Sequence, residues 1–255
     1  LLEKGSELGG LASLISKIPA KNRLADFPHY LMHRAEQLEN LYIFTNTEGT
    51  PENIRKFHPN IIVSSTGSAP LLPPIAGLKD RIDNEDYNIY SILGMINHIN
   101  DFPKDLEGKK VVVVGGGAVG LDVVEFFADR NADISIVEMM DQIGRDLDPV
   151  SKNDTKAMMK KHNVHQLTKT ALLEVKDSSF LVKGDGEPYE LPFEYGFVCL
   201  GMRAQGQLYQ SLAEEFSSED VEIMNIGDSQ RARRIIDGTQ EGRNILTILE
   251  QRGYL

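Results

Sequence analysis

Cysteine is nearly absent from this 255-residue chain, which contains only Cys199. One cysteine cannot close a disulfide within the chain, and its scarcity fits a reducing compartment, so we expect a cytoplasmic protein. We do not expect this chain to carry out chemistry that needs a pair of redox cysteines. Cys199 itself lies in a predicted apolar strand, and we expect it to be a small buried group and not a nucleophile.

Long apolar runs and an excess of positive charge are also missing. No stretch approaches the length of a membrane span, and no signal peptide is visible. The chain has 27 basic and 38 acidic residues, for a net charge of −11. No basic cluster interrupts this acidity, which argues against a nucleic-acid surface. The length is sufficient for a substantial core in one or two domains.

The sequence offers no convincing metal site or catalytic side chain. His29 and His33 have the i, i+4 spacing of two metal ligands on a helix, but Tyr30 stands where a zinc protease has Glu. No third ligand is evident, so a solvated helix face is the preferred interpretation. No serine lies in a G-x-S-x-G turn either. We therefore predict no metal, and the catalytic residues are unknown.

The most informative stretch is 109–138, KKVVVVGGGAVGLDVVEFFADRNADISIVE. Residues 111–114 are four valines, typical of a strand buried on both faces of a parallel sheet. G-x-G-x-x-G follows over 115–120. A helix is predicted over 119–130, and a second strand over 134–137 ends on an acid. This order predicts a strand–helix–strand unit.

Each residue type in this unit has a physical reason. Gly115 permits the tight turn, Gly117 lets a pyrophosphate approach the helix N-terminus, and Gly120 lets the helix lie close to the strand. Glu138 can accept hydrogen bonds from an adenosine ribose and would repel a 2′-phosphate. The pattern predicts NAD(H) binding; a unit whose glycines only make a turn stays as the alternative. The predicted binding residues here are Gly115, Gly116, Gly117, Ala118, Val119, Gly120 and Glu138.

Further motifs are spread along the chain. Leu1-Leu2-Glu3-Lys4 is typical of an apolar strand ending on an acid, although a chance match at the chain end is the alternative. Gly9-Gly10 predicts a turn where backbone can approach a cofactor. A strand over 61–64 leads into Ser65-Thr66-Gly67, and another over 221–226 ends in Gly227-Asp228.

Periodicity predicts the remaining elements. The predicted helices cover 23–41, 91–100, 148–162 and 231–252. The predicted strands cover 41–45, 165–167, 171–175, 180–183, 189–191 and 197–200, the last leading to Gly201.

These pieces together resemble the flavoproteins with two dinucleotide-binding domains. The resemblance rests on the acid at Glu3 with Gly9-Gly10, on Ser65-Thr66-Gly67, on the 115–120 fingerprint and on Gly227-Asp228. The stretch from Gly227-Asp228 through RARRIIDGTQEG, residues 231–242, is similar to the C-terminal part of NADH:flavin oxidoreductases related to 2,4-dienoyl-CoA reductase and 2-enoate reductase.

The resemblance implies an α/β fold with two Rossmann-like domains, one inserted in the other. An FAD-binding domain would comprise 1–78 and 205–255, and an NAD(P)H-binding domain 79–204. The first domain is expected to be incomplete, lacking its first β-α unit, because its opening glycine turn is not in the sequence. The chain is therefore interpreted as an N-terminally truncated fragment that binds FAD weakly or not at all and is inactive alone.

The resemblance also assigns roles to single residues. Asp122 falls where relatives place an acid near the nicotinamide; a solvated acid in the first helical turn is the alternative. Glu3 would hold the FAD ribose, Thr66-Gly67 would lie under FAD, and Asp228 would bond its ribityl or pyrophosphate region. The cofactor-binding residues implied in this way are Glu3, Lys4, Gly10, Thr66, Gly67, Asp122, Gly201, Gly227 and Asp228.

The expected function is transfer of a hydride from NADH to FAD. The electrons would then pass to an upstream Old-Yellow-Enzyme-like barrel that carries FMN and an iron–sulfur cluster. This barrel would reduce an activated alkene. Two alternatives stay open: a stand-alone NADH oxidase or ferredoxin-type reductase, and a non-catalytic nucleotide-binding subunit. The expected partners are a nicotinamide nucleotide and the chain's own barrel, with a homo-oligomer left open.

Overall fold

A computed structural model describes residues 1–254, which form two compact units. Both are discontinuous in sequence. Unit 1 comprises Leu1–Ser16, Lys21–Ala69 and the chain from Met202 onward, and unit 2 comprises Lys17–Ala20 and Pro70–Gly201. The assignment of these units to FAD and to NAD(P)H, with the domain limits given above, stays a prediction.

The helices and strands in chain order are as follows. The α-helices are Gly10–Ile15 (α1), Asp26–Glu36 (α2), Pro51–Arg55 (α3), Leu78–Arg81 (α4), Ile92–Asn97 (α5), Ala118–Ala128 (α6), Pro149–Lys161 (α7), Gln207–Glu215 (α8) and Ile235–Gln251 (α9); Pro19–Ala25 and Gly227–Ser229 are 3₁₀ turns. The strands are Ile61–Ser64 (β1), Ser68–Pro70 (β2), Ile89–Tyr90 (β3), Lys110–Val114 (β4), Asp133–Val137 (β5), His165–Leu167 (β6), Ala171–Val175 (β7), Ser179–Lys183 (β8), Tyr189–Pro192 (β9), Tyr195–Val198 (β10), Met202–Ala204 (β11) and Glu222–Asn225 (β12).

Unit 2 is built on a five-stranded parallel sheet in the order β3-β10-β4-β5-β6. The four valines of β4 are at most 3% exposed, because strands flank them on both sides and residues pack on both faces. Helix α6 crosses from β4 to β5 and buries Val123, Val124, Phe126 and Phe127. This is the strand–helix–strand unit that the valine run predicts, and it is confirmed.

An antiparallel sheet, β7-β8-β9, completes unit 2. Phe180 and Val182 of β8 are fully buried and belong to one apolar cluster with Val112 and Val114 of β4. The small sheet thus shares a core with the parallel sheet.

In unit 1, β1 and β12 form a parallel pair, with Ile61 opposite Glu222 and Ser64 opposite Asn225. Ile62 packs in a cluster with Leu212 of α8 and with Phe216. Because the two strands are parallel, the loops that follow them leave the same end of the pair.

Some sequence expectations are wrong. The predicted strand over 41–45 is reduced to an isolated parallel bridge between Leu2 and Phe44. The two segments stay hydrogen-bonded beyond the bridge but irregularly, since Asn46 has φ 50° and the N–H groups of Asn46 and Thr47 donate to the carbonyls of Gly5 and Glu3. The predicted helix over 23–41 forms only as α2, after a 3₁₀ turn. Cys199 lies just beyond β10 and not within a strand.

Candidate functional site

The glycine turn after β4 has the close contacts that exclude larger side chains. Gly115 has φ 108°, and a Cβ built on it would lie 2.1 Å from the Cys199 carbonyl oxygen. A Cβ on Gly120 would lie 1.9 Å from the carbonyl oxygen of Gly115. Both positions therefore require glycine for the turn itself and for the close approach of α6.

Gly117 differs, because nothing in the fold requires its missing side chain. It has φ −79°, which any residue adopts, and it is the N-cap of α6. A Cβ there would meet only the carboxylate oxygens of Asp146, at 3.8 and 3.9 Å. No side chain caps the helix at this end. The backbone at Gly117 is thus open to a ligand, next to the positive end of the α6 dipole.

Glu138 lies directly against the glycine turn. Its Oε2 accepts a hydrogen bond from the Gly116 N–H at 2.6 Å, and its Oε1 accepts one from the Met140 N–H at 2.7 Å. Its backbone is fixed as well, because the Glu138 N–H donates to the Leu167 carbonyl and the Thr170 N–H donates to the Glu138 carbonyl. The half-buried carboxylate keeps further lone pairs for hydroxyl donors.

The structure brings Asp122 and Gly201 to the same unit as the glycine turn. Asp122 is half-buried on α6 and has its own interaction partner. Burial raises the pKa of Cys199 to about 12, and the negative charges of Asp122 and Asp83 contribute. Cys199 is therefore a neutral buried thiol, as expected. Gly201 has φ 101° and follows β10.

In unit 1 the loops after β1 and β12 meet. Ser68, next to Thr66-Gly67, donates its hydroxyl hydrogen bond to Oδ2 of Asp228 at 3.0 Å. Oδ1 of Asp228 accepts from the Arg233 N–H at 3.0 Å. The Thr66 hydroxyl donates to the Gln205 carbonyl at 2.5 Å. The structure thus places Thr66, Gly67, Gly227 and Asp228 in one loop cluster.

Glu241 completes this cluster and was not predicted from sequence. Its Oε2 accepts the Gly227 N–H at 2.6 Å, and its Oε1 pairs with the Arg233 guanidinium. The Arg233 side chain, followed by the Gly227 N–H, lowers the pKa of Glu241. The N–H of Gly227, a residue that the resemblance implies for cofactor binding, therefore already has a partner. The only signal in the sequence was that Glu241 lies within residues 231–242, the stretch that resembles the flavoproteins.

Glu3, Lys4 and Gly10 are close in sequence near the chain start, and each has different surroundings. Oε1 of Glu3 accepts from the Gly5 N–H at 2.6 Å, and Lys4 pairs with Glu48 at 2.9 Å. Gly10 opens α1 with φ 51°. Within residues 1–254, none of the hydrogen bonds found joins Glu3 to Thr66 or to Asp228.

The two histidines of α2 do not form a metal site. His29 and His33 are exposed on α2, and His33 contacts Gln37 through its ring nitrogen. Across the described chain there is no group of three or more His, Cys, Asp or Glu side chains arranged to hold a metal. Over the same residues, no helix has the length and apolar character that crossing a bilayer requires.

A parallel sheet with a glycine-rich strand–helix turn, and an acid at the end of the next strand, defines the class of Rossmann-like α/β proteins. Comparison with family models matches residues 38–224 to the pyridine nucleotide-disulphide oxidoreductases. The chain belongs to this family. The predicted α/β fold class is confirmed.

Individual relatives are similar over nearly the whole chain. A metal reductase of Desulforamulus reducens is 26% identical over 95% of the chain, and an NADH oxidase of Thermoanaerobacter brockii is 25% identical over 95%. A bilirubin reductase of Mediterraneibacter gnavus is 26% identical over 95%. The chain spans only 39%, 36% and 35% of the lengths of these three proteins.

Solved structures show the same fold. A 2-naphthoyl-CoA reductase matches with a TM-score of 0.79 at 22% identity, covering 94% of this chain and 34% of that one. Histamine dehydrogenase from Rhizobium sp. 4-9 matches with a TM-score of 0.78 at 15% identity, covering 96% and 37%. At these identities the likeness establishes the fold alone.

Proposed function

We propose that this chain is a flavin-dependent oxidoreductase module in which NADH, bound at Gly115–Gly120 and Glu138, gives a hydride to FAD. The observation that supports this most is the Glu138 carboxylate, held 2.6 Å from the Gly116 N–H beside the open backbone of Gly117. A ribose acceptor and a pyrophosphate site are thereby adjacent, as a dinucleotide requires.

NADH fits the residues present in unit 2. The uncapped start of α6 offers backbone donors to the pyrophosphate, and Gly117 leaves room for it. Glu138 accepts the ribose hydroxyls. Its charge would repel a 2′-phosphate, and the exposed Met139 and Met140 that follow are neutral. We therefore propose NADH over NADPH, a preference that the nearby Arg145 weakens.

FAD fits the loop cluster of unit 1. Asp228 receives one hydrogen bond on each carboxylate oxygen and keeps acceptor capacity for ribityl hydroxyls. Gly67 leaves space beside it, since no atom apart from its chain neighbours lies within 4 Å of the position of a Cβ on this residue. The isoalloxazine supplies the redox chemistry when FAD is bound, and the chain's residues bind and orient the two nucleotides. No side chain is needed as a general acid or base for hydride transfer.

We further propose that electrons pass to a barrel encoded upstream, which carries FMN and an iron–sulfur cluster and reduces an activated alkene. The resemblance of residues 227–242 to NADH:flavin oxidoreductases supports this. The relatives are two to three times longer than this chain, so they have room for such a domain. Their names refer to different acceptors, so the similarity does not select the acceptor.

An NADH oxidase is the second candidate, favoured by the Thermoanaerobacter brockii relative. In that case the reduced flavin would pass its electrons to dioxygen directly. A ferredoxin-type reductase would pass them to a protein carrier. A non-catalytic nucleotide-binding subunit would bind NADH and reduce nothing.

The test is reduction of added FAD by NADH without oxygen, using the product of the whole gene. We expect the flavin absorbance to bleach with one NADH per FAD. NADH binding with no bleaching would contradict the oxidoreductase and favour the non-catalytic subunit. Admission of oxygen then separates the candidates, because only the oxidase continues to consume NADH rapidly without another acceptor.

A further inference from the structure

The segment that follows Glu138 folds back over the glycine turn. The Gly144 N–H donates to the Gly116 carbonyl at 2.7 Å, and the Leu147 N–H donates to the Gly144 carbonyl at 3.2 Å. Ile143 is buried, with its Cγ1 3.1 Å from where a Cβ on Gly116 would lie. Backbone bonds and a buried side chain therefore fix this segment at the candidate pyrophosphate site.

The same segment places Asp146 opposite Gly117. Its two carboxylate oxygens are the only described atoms within 4 Å of the Cβ position of Gly117, apart from its chain neighbours and the backbone of α6. Asp146 is exposed, and we find no hydrogen bond or ion pair for its carboxylate within residues 1–254. Glu138 is different, because both its oxygens accept backbone N–H groups. Asp146 thus presents a negative charge that has no direct ion-pair partner among the described residues at the opening of the site.

A bound pyrophosphate would lie close to this charge. Phosphate oxygens accepting from the backbone near Gly117 would come within about 6 Å of the Asp146 carboxylate, where like charges repel measurably even in a solvated site. The repulsion would favour release of the nucleotide.

We propose that Asp146 sets nucleotide affinity by repelling the pyrophosphate, so that NADH binds reversibly and not tightly. This inference rests on the proposed function, because it concerns the same site. Asp146 would influence NADH affinity through its charge and not through a hydrogen bond to the ligand. Its neutral isostere should therefore bind NADH more tightly.

The experiment compares the dissociation constant of NADH for the wild-type chain, Asp146→Asn and Asp141→Asn. Asp141 is an exposed acid of the same segment but is not within 4 Å of the Gly117 Cβ position. At low salt we expect Asp146→Asn to bind NADH about tenfold more tightly, and Asp141→Asn to stay within about twofold of wild type. The gain should shrink at about 1 M salt, where screening acts over about 3 Å.

The outcomes separate this inference from the proposed function. An Asp146→Asn affinity that equals or falls below wild type, or a gain that does not depend on salt, overturns the role of Asp146 alone. Equal gains for both variants would show a general charge effect and also overturn it. If neither the wild-type chain nor Asp146→Asn binds NADH while both unfold cooperatively, the proposed function fails, and this inference fails with it.

Discussion

Glu138 accepts two backbone hydrogen bonds, so its substitution should affect both folding and selectivity. In Glu138→Gln one amide oxygen remains, and the NH₂ group would face an N–H donor of Gly116 or Met140. We expect NADH affinity to fall about tenfold, and the preference for NADH over NADPH to shrink, because the charge that repels a 2′-phosphate is lost. Titration of both nucleotides into both proteins measures this.

The matched control is Glu107→Gln, an exposed acid in the loop before β4. It should bind both nucleotides as the wild type does. A selectivity ratio that is the same in Glu138→Gln and wild type would remove Glu138 from the site.

Cys199 gives a prediction about pH. Burial raises its pKa from an ordinary 9.0 to about 12, so the folded protein holds the thiol proton where the unfolded chain has lost it. The stabilisation is complete below pH 9 and is lost as the pH rises from 9 toward 12. Relative to Cys199→Ala, the wild type should lose about 1 kcal/mol of unfolding free energy between pH 8 and pH 10, measured by urea denaturation.

Alkylation of the thiol provides a second measurement of the same property. The folded chain should react with iodoacetamide much more slowly than the urea-unfolded chain at pH 8.5, because the thiolate is the nucleophile. Equal alkylation rates for the folded and the unfolded chain would contradict a buried neutral thiol. So would unfolding free energies of the wild type and Cys199→Ala that change in parallel with pH.

At the scale of elements, the packing of α6 on β4 distinguishes two glycines of one motif. Gly120→Ala would put a methyl group against the Gly115 carbonyl, and we expect it to lower the unfolding free energy by about 3 kcal/mol. Gly117→Ala meets no atom closer than 3.8 Å, so it should cost less than about 1 kcal/mol. Its methyl group should nevertheless weaken NADH binding at least about tenfold by blocking the pyrophosphate.

Denaturation and NADH titration of the two variants give these values. Each glycine is the other's control, since they have the same chemistry and differ only in what surrounds them. A Gly117→Ala variant that unfolds as easily as Gly120→Ala, or that binds NADH normally, would contradict the role of Gly117.

Elements with a strong local signal could be predicted from sequence. The β4-α6-β5 unit was predictable because its signals are local in sequence. Four valines indicate a buried strand, three glycines indicate a tight turn into a helix, and the acid marks the end of the next strand. The strand over 41–45 does not form, because its backbone partners are residues 1–5, distant in sequence, and they give only one bridge, at Leu2. Helix α8 was missed because its burial depends on Ile62, far away in sequence.

The residues of the candidate site also fall into those that the sequence predicted and those that it did not. The positions of Glu138 and of the glycines follow from their places at strand ends. Asp146 and Glu241 gained their positions through folding back of a segment, over Gly117 in one case and onto Gly227 in the other. Such contacts are set by tertiary structure, so sequence spacing alone did not indicate them.

At the scale of the whole molecule, the number of glycine fingerprints leads to a prediction about flavin. The sequence contains one G-x-G-x-x-G, in unit 2. The Gly227 amide of the unit 1 cluster is bonded to Glu241. We expect the 255-residue chain, purified alone, to bind FAD weakly and to show little flavin absorbance. A stoichiometric yellow flavin after purification would contradict this.

The most direct test of the central claim is a backbone amide NMR titration of the isotope-labelled chain with NADH. We predict the largest shifts at the amides of Gly116, Gly117, Ala118 and Met140, with the Gly227 amide unchanged. Shifts that leave the 115–120 turn and Met140 untouched while NADH binds elsewhere, or no shifts at millimolar NADH, would contradict a dinucleotide site at this turn.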